Sequence, residues 1–447
     1  MNLSYFISKR IIQSRQSGFS ATIHRIAIAS IAIGLLAAVL SFLVMKGFQE
    51  TVKNKIYGFS GHLLVTKFSM NNSPEERPMN FHIDIYKNKD KYPFISHVQE
   101  FAHKPGLVKT EDEVLGVVVK GIGKSFNVND FQASIVEGSF IDIPDSSYAN
   151  QVVISRTISD KIRAGVGDAI TVHFFQNPPR SRRLKVTGIY ETNLSEYFDS
   201  KVIITDIRLI QRLNDWNDSI AGGLEIFLKR DHFSSGQLRL SNASRESEEL
   251  DDEGQVVSRG VFSNLFGFSY DDAVIDESLE RIGESMDYDL NIEKVSDKYM
   301  QVFEWLQLLS RQVNILLGVI LFVISLNMVS IVFLLVMERT QMIGLLKAVG
   351  AGNKMVRQIF VYNGVLLIGK GLLIGNALGI GLCFLQHRFK LIKLNPHDYY
   401  MSFVPISWHW DIIIILNLLT FFIVTLVLLL PTMVISRISP IKAIRFD

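Results

Sequence analysis

The sequence predicts an α-helical membrane protein with four transmembrane helices plus a large α+β extracytoplasmic domain. Two observations carry this prediction. Four long apolar segments are separated by polar chain, and about 260 residues of mixed strand and helix patterns lie between the first and the second. The chain has 447 residues and a positive mean hydropathy of +0.23, to which the four segments contribute most, so it combines membrane spans with a polar domain.

The apolar segments have the length that a bilayer requires of a helix. Uncharged runs of 20, 25 and 22 residues occupy 26–45, 312–336 and 412–433, and a further segment, 359–385, carries Lys370 at its middle. A helix needs roughly 20 apolar residues to cross the hydrocarbon core, so we predict transmembrane helices at these ranges. Lys370 either faces a wet cavity or a carboxylate, or its ammonium group snorkels to the interface.

Basic residues set the predicted orientation. They precede the first segment without acidic neighbours, and they recur between the second and third segments and after the fourth. By the positive-inside rule, 1–25, the coupling segment 337–358 and the tail 434–447 are cytoplasmic, which leaves the domain 46–311 and the loop 386–411 outside. That loop departs from the rule because it carries Arg388, Lys390 and Lys393.

Charge and cysteine content exclude several classes of protein. Residues 46–311 carry a net charge of −9, which excludes a nucleic-acid binder. The single cysteine, Cys383, lies within the third apolar segment, so no disulfide framework is expected. The first apolar segment lacks a small-x-small cleavage site and is interpreted as a signal anchor. Before it, a cytoplasmic interfacial helix is favoured over a disordered tail by the helical spacing of Leu3, Phe6, Ile7, Ile11 and Ile12.

The external region alternates strand and helix patterns. The range 231–260 is acidic and polar and is predicted to be a mobile insertion, because such a segment buries little apolar surface. Helices are predicted at 206–213, 276–286 and 295–309. Strand-like runs lie at 62–66, 114–120, 152–155, 169–175, 184–190, 201–205 and 224–228.

Catalytic and metal-binding motifs are not found. Gly121 to Ser125 reads Gly-Ile-Gly-Lys-Ser, which imitates the end of a phosphate-binding loop, but Val118 stands where that loop requires glycine. The histidines of the external region form no i, i+4 pair and have no cysteine neighbours. We therefore expect a protein that is not an enzyme, with no cofactor and no metal site.

Residues 338–351, with the sequence ERTQMIGLLKAVGA, form an amphipathic segment between two apolar ones. The segment is too polar to span a membrane. Gly350 and Gly352 supply a helix stop. Helical spacing places Met342, Ile343, Leu345, Leu346 and Val349 on one face, which predicts either a docking helix or an ordinary surface helix of a cytoplasmic loop.

This run resembles the coupling segment of the FtsX-like/MacB-like ABC transporter permeases. The ending SRISPIKAIR at 436–445 is similar to that family's R-x-x-P-x-x-A-L-R, and 152–190 resembles the MacB-like periplasmic core domain. MKGF at 45–48 and NMVS at 327–330 resemble motifs of the Lol-type lipoprotein-releasing permeases, the group to which the resemblance is strongest. An FtsX-like permease domain is thus expected at about 312–440.

The resemblance implies a function as well as a fold. It implies an inner-membrane permease of the mechanotransmission type that extracts lipoproteins for transfer to the outer membrane. Implied partners are a cytoplasmic ABC ATPase dimer that hydrolyses the ATP, a second permease chain, identical or homologous, lipoprotein substrates and membrane lipids. The short loop 176–181 leaves a periplasmic chaperone open as a partner. The alternative is an FtsX-like signalling or cell-division scaffold that couples the ATPase to a periplasmic partner.

Three groups of site residues follow from the resemblance and the spacing. Gly371, Gly375 and Gly379 form a doubled small-residue motif, which serves either fixed helix packing or a partner-facing sliding surface. A substrate groove is expected at Val44, Phe48 and Phe303. ATPase coupling is expected at Glu338, Arg339, Met342, Ile343, Leu345, Leu346, Lys347, Val349 and Gly350.

The predicted topology is testable by cysteine labelling. In a Cys383→Ser background, cysteines at Ser73 and Ser244 should react with an impermeant maleimide in spheroplasts, whereas cysteines at Lys354 and Lys442 should react only after lysis. The membrane excludes the reagent from the cytoplasm, so labelling at 354 in intact spheroplasts would contradict the orientation.

Overall fold

Helices and strands alternate through most of the computed structural model, which describes residues 19–69, 75–109, 114–132, 134–144, 148–194, 198–229 and 270–432. The helices are α1 (Phe19–Ser60), α2 (Asp84–Lys87), α3 (Val128–Gln132), α4 (Arg156–Ile162), α5 (Ile207–Leu213), α6 (Tyr270–Gly283), α7 (Val295–Lys298), α8 (Met300–Glu338), α9 (Thr340–Ala348), α10 (Asn353–Phe389), α11 (Pro396–Tyr399) and α12 (Trp410–Thr432). The strands are β1 (Leu63–Lys67), β2 (Met79–Asn80), β3 (Ile95–Lys109), β4 (Val114–Ile122), β5 (Ile135–Gly138), β6 (Gln151–Ser155), β7 (Ala169–Phe174), β8 (Arg180–Tyr190), β9 (Val202–Asp206), β10 (Ile220–Ala221), β11 (Gly223–Leu228) and β12 (Leu290–Lys294).

Four of these helices, α1, α8, α10 and α12, are long and apolar enough to cross a membrane. Each contains the described part of one predicted apolar segment. With 42 and 39 residues, α1 and α8 are about twice as long as the roughly 20 residues that a bilayer core requires. The helix predicted at 295–309 is interrupted at Tyr299, where α7 ends and α8 begins. Residues 1–18 of the predicted interfacial helix 1–25, the insertion at 231–260 and the tail 434–447 lie outside the described residues, and residues 19–25 belong to α1.

Contacts divide the chain into two compact units. The first, here called the membrane unit, comprises the described residues of Met1–Glu50, Leu306–Lys393 and Phe403–Asp447. Its core joins α1, α8, α9, α10 and α12. The buried residues are Ile23, Ala27, Ile31, Ile324, Met328, Ile331, Val332, Leu335, Val336, Ile343, Val356, Phe360, Leu367, Ile368, Val424 and Leu428.

The small-residue motif of α10 lies against α1. A Cβ atom added at Gly371 would stand 2.7 Å from Cβ of Ile31, and one added at Gly375 would stand 2.8 Å from the carbonyl oxygen of Ala32. Gly379 has more room, with 3.5 Å to the nearest atoms of α1. Glycine lets the two backbones approach closely, so the motif serves packing within this chain in the structure.

Polar residues of α10 are placed in two ways. Asn376 and Asn417 join α10 to α12 through reciprocal side-chain amide hydrogen bonds of 2.7 and 3.1 Å. Each amide also donates to a carbonyl oxygen one turn earlier in its own helix. Lys370, in contrast, has an exposed side chain, which fits both of its predicted placements.

The second unit, here called the sheet unit, comprises the described residues of Thr51–Trp305 and Leu394–Ser402. Its main sheet has the strand order β12-β1-β11-β3-β4-β9-β6-β8-β5, and β7 pairs with both β3 and β8. The pairs β4–β9 and β6–β8 are parallel, and the other pairs are antiparallel. The predicted combination of apolar helices with a mixed strand and helix domain is confirmed in this coarse form.

The strand β3, which contains Pro105, was not predicted. Its 15 residues pair with β11 up to Phe101 and with β7 from Leu107 onward, while β4 pairs across 101–109. Pro105 therefore lies where β3 has a partner on one side only. A proline is tolerated there because its missing N–H faces no neighbouring strand.

A buried ion pair lies in the interior of the sheet unit. Lys120 Nζ donates to Glu225 Oε1 at 2.6 Å and to the carbonyl oxygen of Phe59, near the end of α1, at 2.7 Å. Gln99 Nε2 donates to the other Glu225 oxygen at 2.7 Å. Both charged side chains are 2 % exposed, and burial lowers the pKa of Lys120 even with the Glu225 carboxylate beside it. The last turn of α1 is thus fixed to the sheet by a charge-assisted hydrogen bond.

The close contact of α10 with α1 generates a stability prediction. Gly375→Ala should lower the thermal midpoint of unfolding in detergent, because the new methyl group forces apart two backbones, at a cost of about 1–3 kcal/mol. Gly369→Ala on the same helix is the matched control, since a Cβ there meets no atom within 4 Å. Equal midpoints for the two variants, measured by circular dichroism, would contradict the packing described here.

Candidate functional site

The coupling segment contains one short helix between two long ones. Arg339 separates α8 from α9, and the carbonyl oxygen of Arg339 accepts from the Ile343 N–H at 3.0 Å. After the last turn, Gly350 has a φ of +97°, a conformation that favours glycine. The N–H of Ala351 then donates to the carbonyl oxygen of Leu346 at 2.9 Å. These bonds close the helix C-terminus where the sequence predicts a stop.

The apolar face expected on this helix is divided into two parts. Ile343 is fully buried in the core of the membrane unit, and Met342 and Leu346 pack against that core. Leu345 and Val349 are 62 % and 83 % exposed. Ile343 is therefore an internal packing residue and not part of an exposed docking face.

The exposed face of α9 is defined here as Gln341, Leu345, Ala348 and Val349, which are all exposed. The spacings of four residues from Gln341 to Leu345 and from Leu345 to Val349, and of three from Leu345 to Ala348, place these side chains near one another. Around them, Glu338 and Gly350 are exposed, while Arg339 and Lys347 are half-buried. Partial burial lowers the pKa of Lys347. The result is a small apolar surface with charged residues at its margin.

The residues predicted for a substrate groove do not share one environment. Val44 and Phe48 are half-buried residues of the membrane unit. Phe303 belongs to the sheet unit and is 8 % exposed, with its ring 5.7 Å from the Tyr57 ring and 5.8 Å from Lys53 Nζ. Phe303 is therefore a packing residue in this structure, and only Val44 and Phe48 keep accessible surface.

Polar contacts just after the first apolar segment, 26–45, were not predicted. Gln49 Nε2 donates to the Leu306 carbonyl oxygen at 2.9 Å and to Ser310 Oγ at 2.5 Å, which joins α1 to α8. Glu50 accepts from Ser407 Oγ at 2.5 Å and lies 2.6 Å from His409 Nε2, and this hydrogen bond raises the pKa of His409. The polar pair of Gln49 and Glu50 shortly after the apolar segment 26–45 was the available sequence signal.

The buried ion pair also has a signal in the sequence, which was not used in the prediction. Lys120 and Glu225 are each the single charged residue in an otherwise apolar strand. Charged residues are almost never fully buried unless paired, so two such strands in one domain favour a mutual partner. The sequence does not show that these two strands lie in one sheet.

Other candidate sites have structural explanations within the described residues. The region that imitates a phosphate-binding loop follows β4, and the Glu100 carboxylate contacts Gly123 and Ser125 there. A carboxylate in that position opposes phosphate binding. His103 Nδ1 lies 2.7 Å from Glu76 Oε1. In the part of the chain that the structure describes, no three histidine, cysteine or acidic residues come together as a metal site.

Comparison with protein families agrees with this architecture. A model of the MacB-like periplasmic core domain matches residues 26–232, and a model of the FtsX-like permease C-terminal domain matches residues 314–440. The chain belongs to the FtsX-like/MacB-like ABC transporter permeases. The MacB-like match of this permease includes the first apolar segment and the strands β1 to β11, and its FtsX-like match includes most of α8 and all of α9 to α12.

Relatives of the permease match it along nearly its whole length. The lipoprotein-releasing system transmembrane protein LolE of Haemophilus influenzae is 24 % identical and the match covers 93 % of each chain. LolC proteins of the same system from Neisseria meningitidis and Xylella fastidiosa are 21 % and 20 % identical and cover 100 % of this chain and 100 % and 99 % of theirs.

Solved structures also show similarity to the permease. The periplasmic region of MacB from Actinobacillus actinomycetemcomitans is 13 % identical, covers 54 % of this chain and 92 % of its own, and has a TM-score of 0.30. The extracellular domain of the transporter YknZ from Gram-positive bacteria is 10 % identical, covers 40 % of this chain and 87 % of its own, and has a TM-score of 0.27.

Proposed function

We propose that this permease extracts lipoproteins from the inner membrane so that they can be transferred to the outer membrane. The observation that supports the proposal is the near-full-length similarity to proteins named as transmembrane components of lipoprotein-releasing systems. Both the MacB-like and the FtsX-like regions lie within the matched range. The signalling or cell-division scaffold receives no comparable support from these relatives.

In the proposed mechanism, ATP hydrolysis takes place on a separate cytoplasmic ATPase dimer, and the permease acts with a second permease chain. Motion at the cytoplasmic side reaches the sheet unit through α1 and α8. Two features support this role. Each helix is continuous and contributes residues to both units. At the end of α1, Lys120 binds the Phe59 carbonyl oxygen, so the helix terminus is not free to fray.

The proposed ATPase contact is the exposed face of α9. Leu345 and Val349 offer apolar surface, because 62 % and 83 % of their surface is exposed. A short amphipathic helix that fits into an apolar groove of a partner is a recurrent recognition mode. Ile343 supports the contact indirectly, because its burial fixes α9 against α10.

The proposed cargo contact is the surface near Val44 and Phe48. Acyl chains leave water favourably at an apolar surface, whereas the polar part of a lipoprotein remains outside the bilayer. A lipoprotein anchored in the external leaflet would reach this surface without crossing from the cytoplasm. A soluble periplasmic chaperone would then receive the released lipoprotein.

Copurification tests the ATPase contact. The double variant Leu345→Asp, Val349→Asp should lose association with the ATPase, because a carboxylate is costly in an apolar contact. Leu345→Met with Val349→Ile is the matched apolar control and should retain it. Ile343→Ala should instead lower the stability of the permease itself, by about 2–5 kcal/mol. Undiminished ATPase recovery with the double aspartate variant would refute the docking role.

Photo-crosslinking tests the cargo. A photoreactive residue at Val44 or Phe48 should capture acylated lipoproteins, whereas one at the buried Phe303 should capture few or none. Addition of ATP, the ATPase and a chaperone should lower the yield at 44 and 48. In the aspartate variant we expect binding to survive and ATP-dependent release to fail. Capture of a cell-wall hydrolase or division protein, with no lipoprotein at either position, would move the assignment to the scaffold.

A further inference from the structure

A short segment that mixes basic and apolar residues begins in the last turn of α10 and continues into one arm of a hairpin. It is called here the basic hairpin and comprises residues 388–393, in order Arg388, Phe389, Lys390, Leu391, Ile392 and Lys393. It belongs to the membrane unit and includes the three basic residues that depart from the positive-inside rule. Neither the lipoprotein-release function nor the ATPase contact gives these residues a role.

The basic hairpin is held by specific hydrogen bonds. The buried side chain of Gln386 donates to the carbonyl oxygens of Ile392 and Val404 at 3.3 and 3.0 Å and accepts from the Ile392 N–H at 2.9 Å. The Val404 N–H donates to the Ile392 carbonyl oxygen at 3.1 Å, and Lys393 forms a β-bridge with Phe403. The side chains of the hairpin are therefore presented on an ordered backbone.

This ordered backbone presents apolar side chains outward. Phe389, Leu391 and Ile392 are 62 %, 66 % and 58 % exposed. The three basic side chains between and beside them are exposed too, and Lys390 Nζ lies 4.2 Å from the centre of the Phe403 ring. Such an arrangement is costly in water, because burial of apolar surface is the main favourable term in folding.

Aromatic residues place the basic hairpin at a membrane surface. The Trp408 ring lies 6.0 Å from the Trp410 ring and 6.2 Å from the His387 ring, so the end of α10 and the start of α12 share one aromatic cluster. Tryptophan concentrates at the boundary between hydrocarbon and headgroups. By the predicted orientation, this is the external boundary.

We propose that the basic hairpin is a binding site for the anionic headgroups of acidic phospholipids in the external leaflet. Phe389, Leu391 and Ile392 enter the acyl boundary, while Arg388, Lys390 and Lys393 contact headgroup phosphates. A lipid surface satisfies both halves of this pattern, because it offers anionic headgroups beside an apolar layer. A soluble acidic protein would pair with the cations but would leave no apolar layer for the other three side chains.

Quenching by brominated lipids tests the site in the full chain. In a Trp216→Phe, Trp305→Phe background, Trp408 and Trp410 report on lipids next to the hairpin. Vesicles of phosphatidylcholine are prepared with an equal minor fraction of either brominated phosphatidylglycerol or brominated phosphatidylcholine. The attraction of one basic residue to an anionic surface corresponds to about a fivefold change in a partition coefficient. At low salt, brominated phosphatidylglycerol should therefore be enriched next to the two tryptophans at least about fivefold over brominated phosphatidylcholine, which is observed as stronger quenching.

Two triple variants and one control decide the outcome. Arg388→Gln, Lys390→Gln, Lys393→Gln should remove the preference for the acidic lipid, and Arg388→Lys, Lys390→Arg, Lys393→Arg should keep it. The charge-matched control changes the exposed sheet-unit residues Lys161, Lys185 and Lys201 to Gln and should also keep it. The charge-preserving variant shows that loss comes from charge and not from misfolding.

Three results would overturn the proposal. The first is equal quenching by the two brominated lipids in the unaltered hairpin, which would also point to an acidic protein as the partner of the cations. The second is an acidic-lipid preference that survives in the glutamine variant. The third is loss of the acidic-lipid preference when soluble glycerol phosphate is added at constant ionic strength. That result would assign the site to free phosphate. Each result is independent of lipoprotein capture at Val44 and Phe48.

Discussion

Backbone contact between α10 and α1, which requires that Gly371 and Gly375 carry no side chain, is the constraint around which the membrane unit is arranged. Inside a bilayer the hydrophobic effect does not bring helices together, because lipid tails are as apolar as leucine. Close van der Waals packing drives their association instead. The reciprocal amide pair of Asn376 and Asn417 then joins α12 to the same helix. With α10 fixed in this way, Ile343 enters the core and the position of α9 is set.

In the sheet unit, the buried ion pair of Lys120 and Glu225 is a comparable structural constraint. Removal of one partner would leave an uncompensated buried charge, which costs about 3–5 kcal/mol. The same ammonium group binds the Phe59 carbonyl oxygen, so the pair stabilises the junction of helix and sheet as well as the sheet interior. The proposed transmission of motion through α1 would need such a fixed end, because a frayed end would absorb the displacement.

The surfaces left exposed by this packing are where partners are proposed. One apolar surface lies on α9 at Leu345 and Val349, and another lies on the basic hairpin after α10. The first surface precedes the start of α10, and the second lies at the end of α10. A buried residue holds each of them in place, Ile343 for the first and Gln386 for the second. The ATPase contact and the lipid contact would thus share a rigid support.

The sequence alone determined the four apolar helices, the domain between the first two and the amphipathic helix, because length, hydropathy and helical spacing are properties of short stretches of chain. The family motifs were readable for the same reason. It did not reveal β3, where Pro105 is tolerated only because a neighbouring strand is lacking on one side, or the pairing of Lys120 with Glu225. It also placed Ile343 with Leu345 on one docking face, and Phe303 in a groove. In the structure both Ile343 and Phe303 are buried. The difference has one physical cause: periodicity shows which residues share a helix face, but only the contacts made by distant segments decide which part of that face is buried.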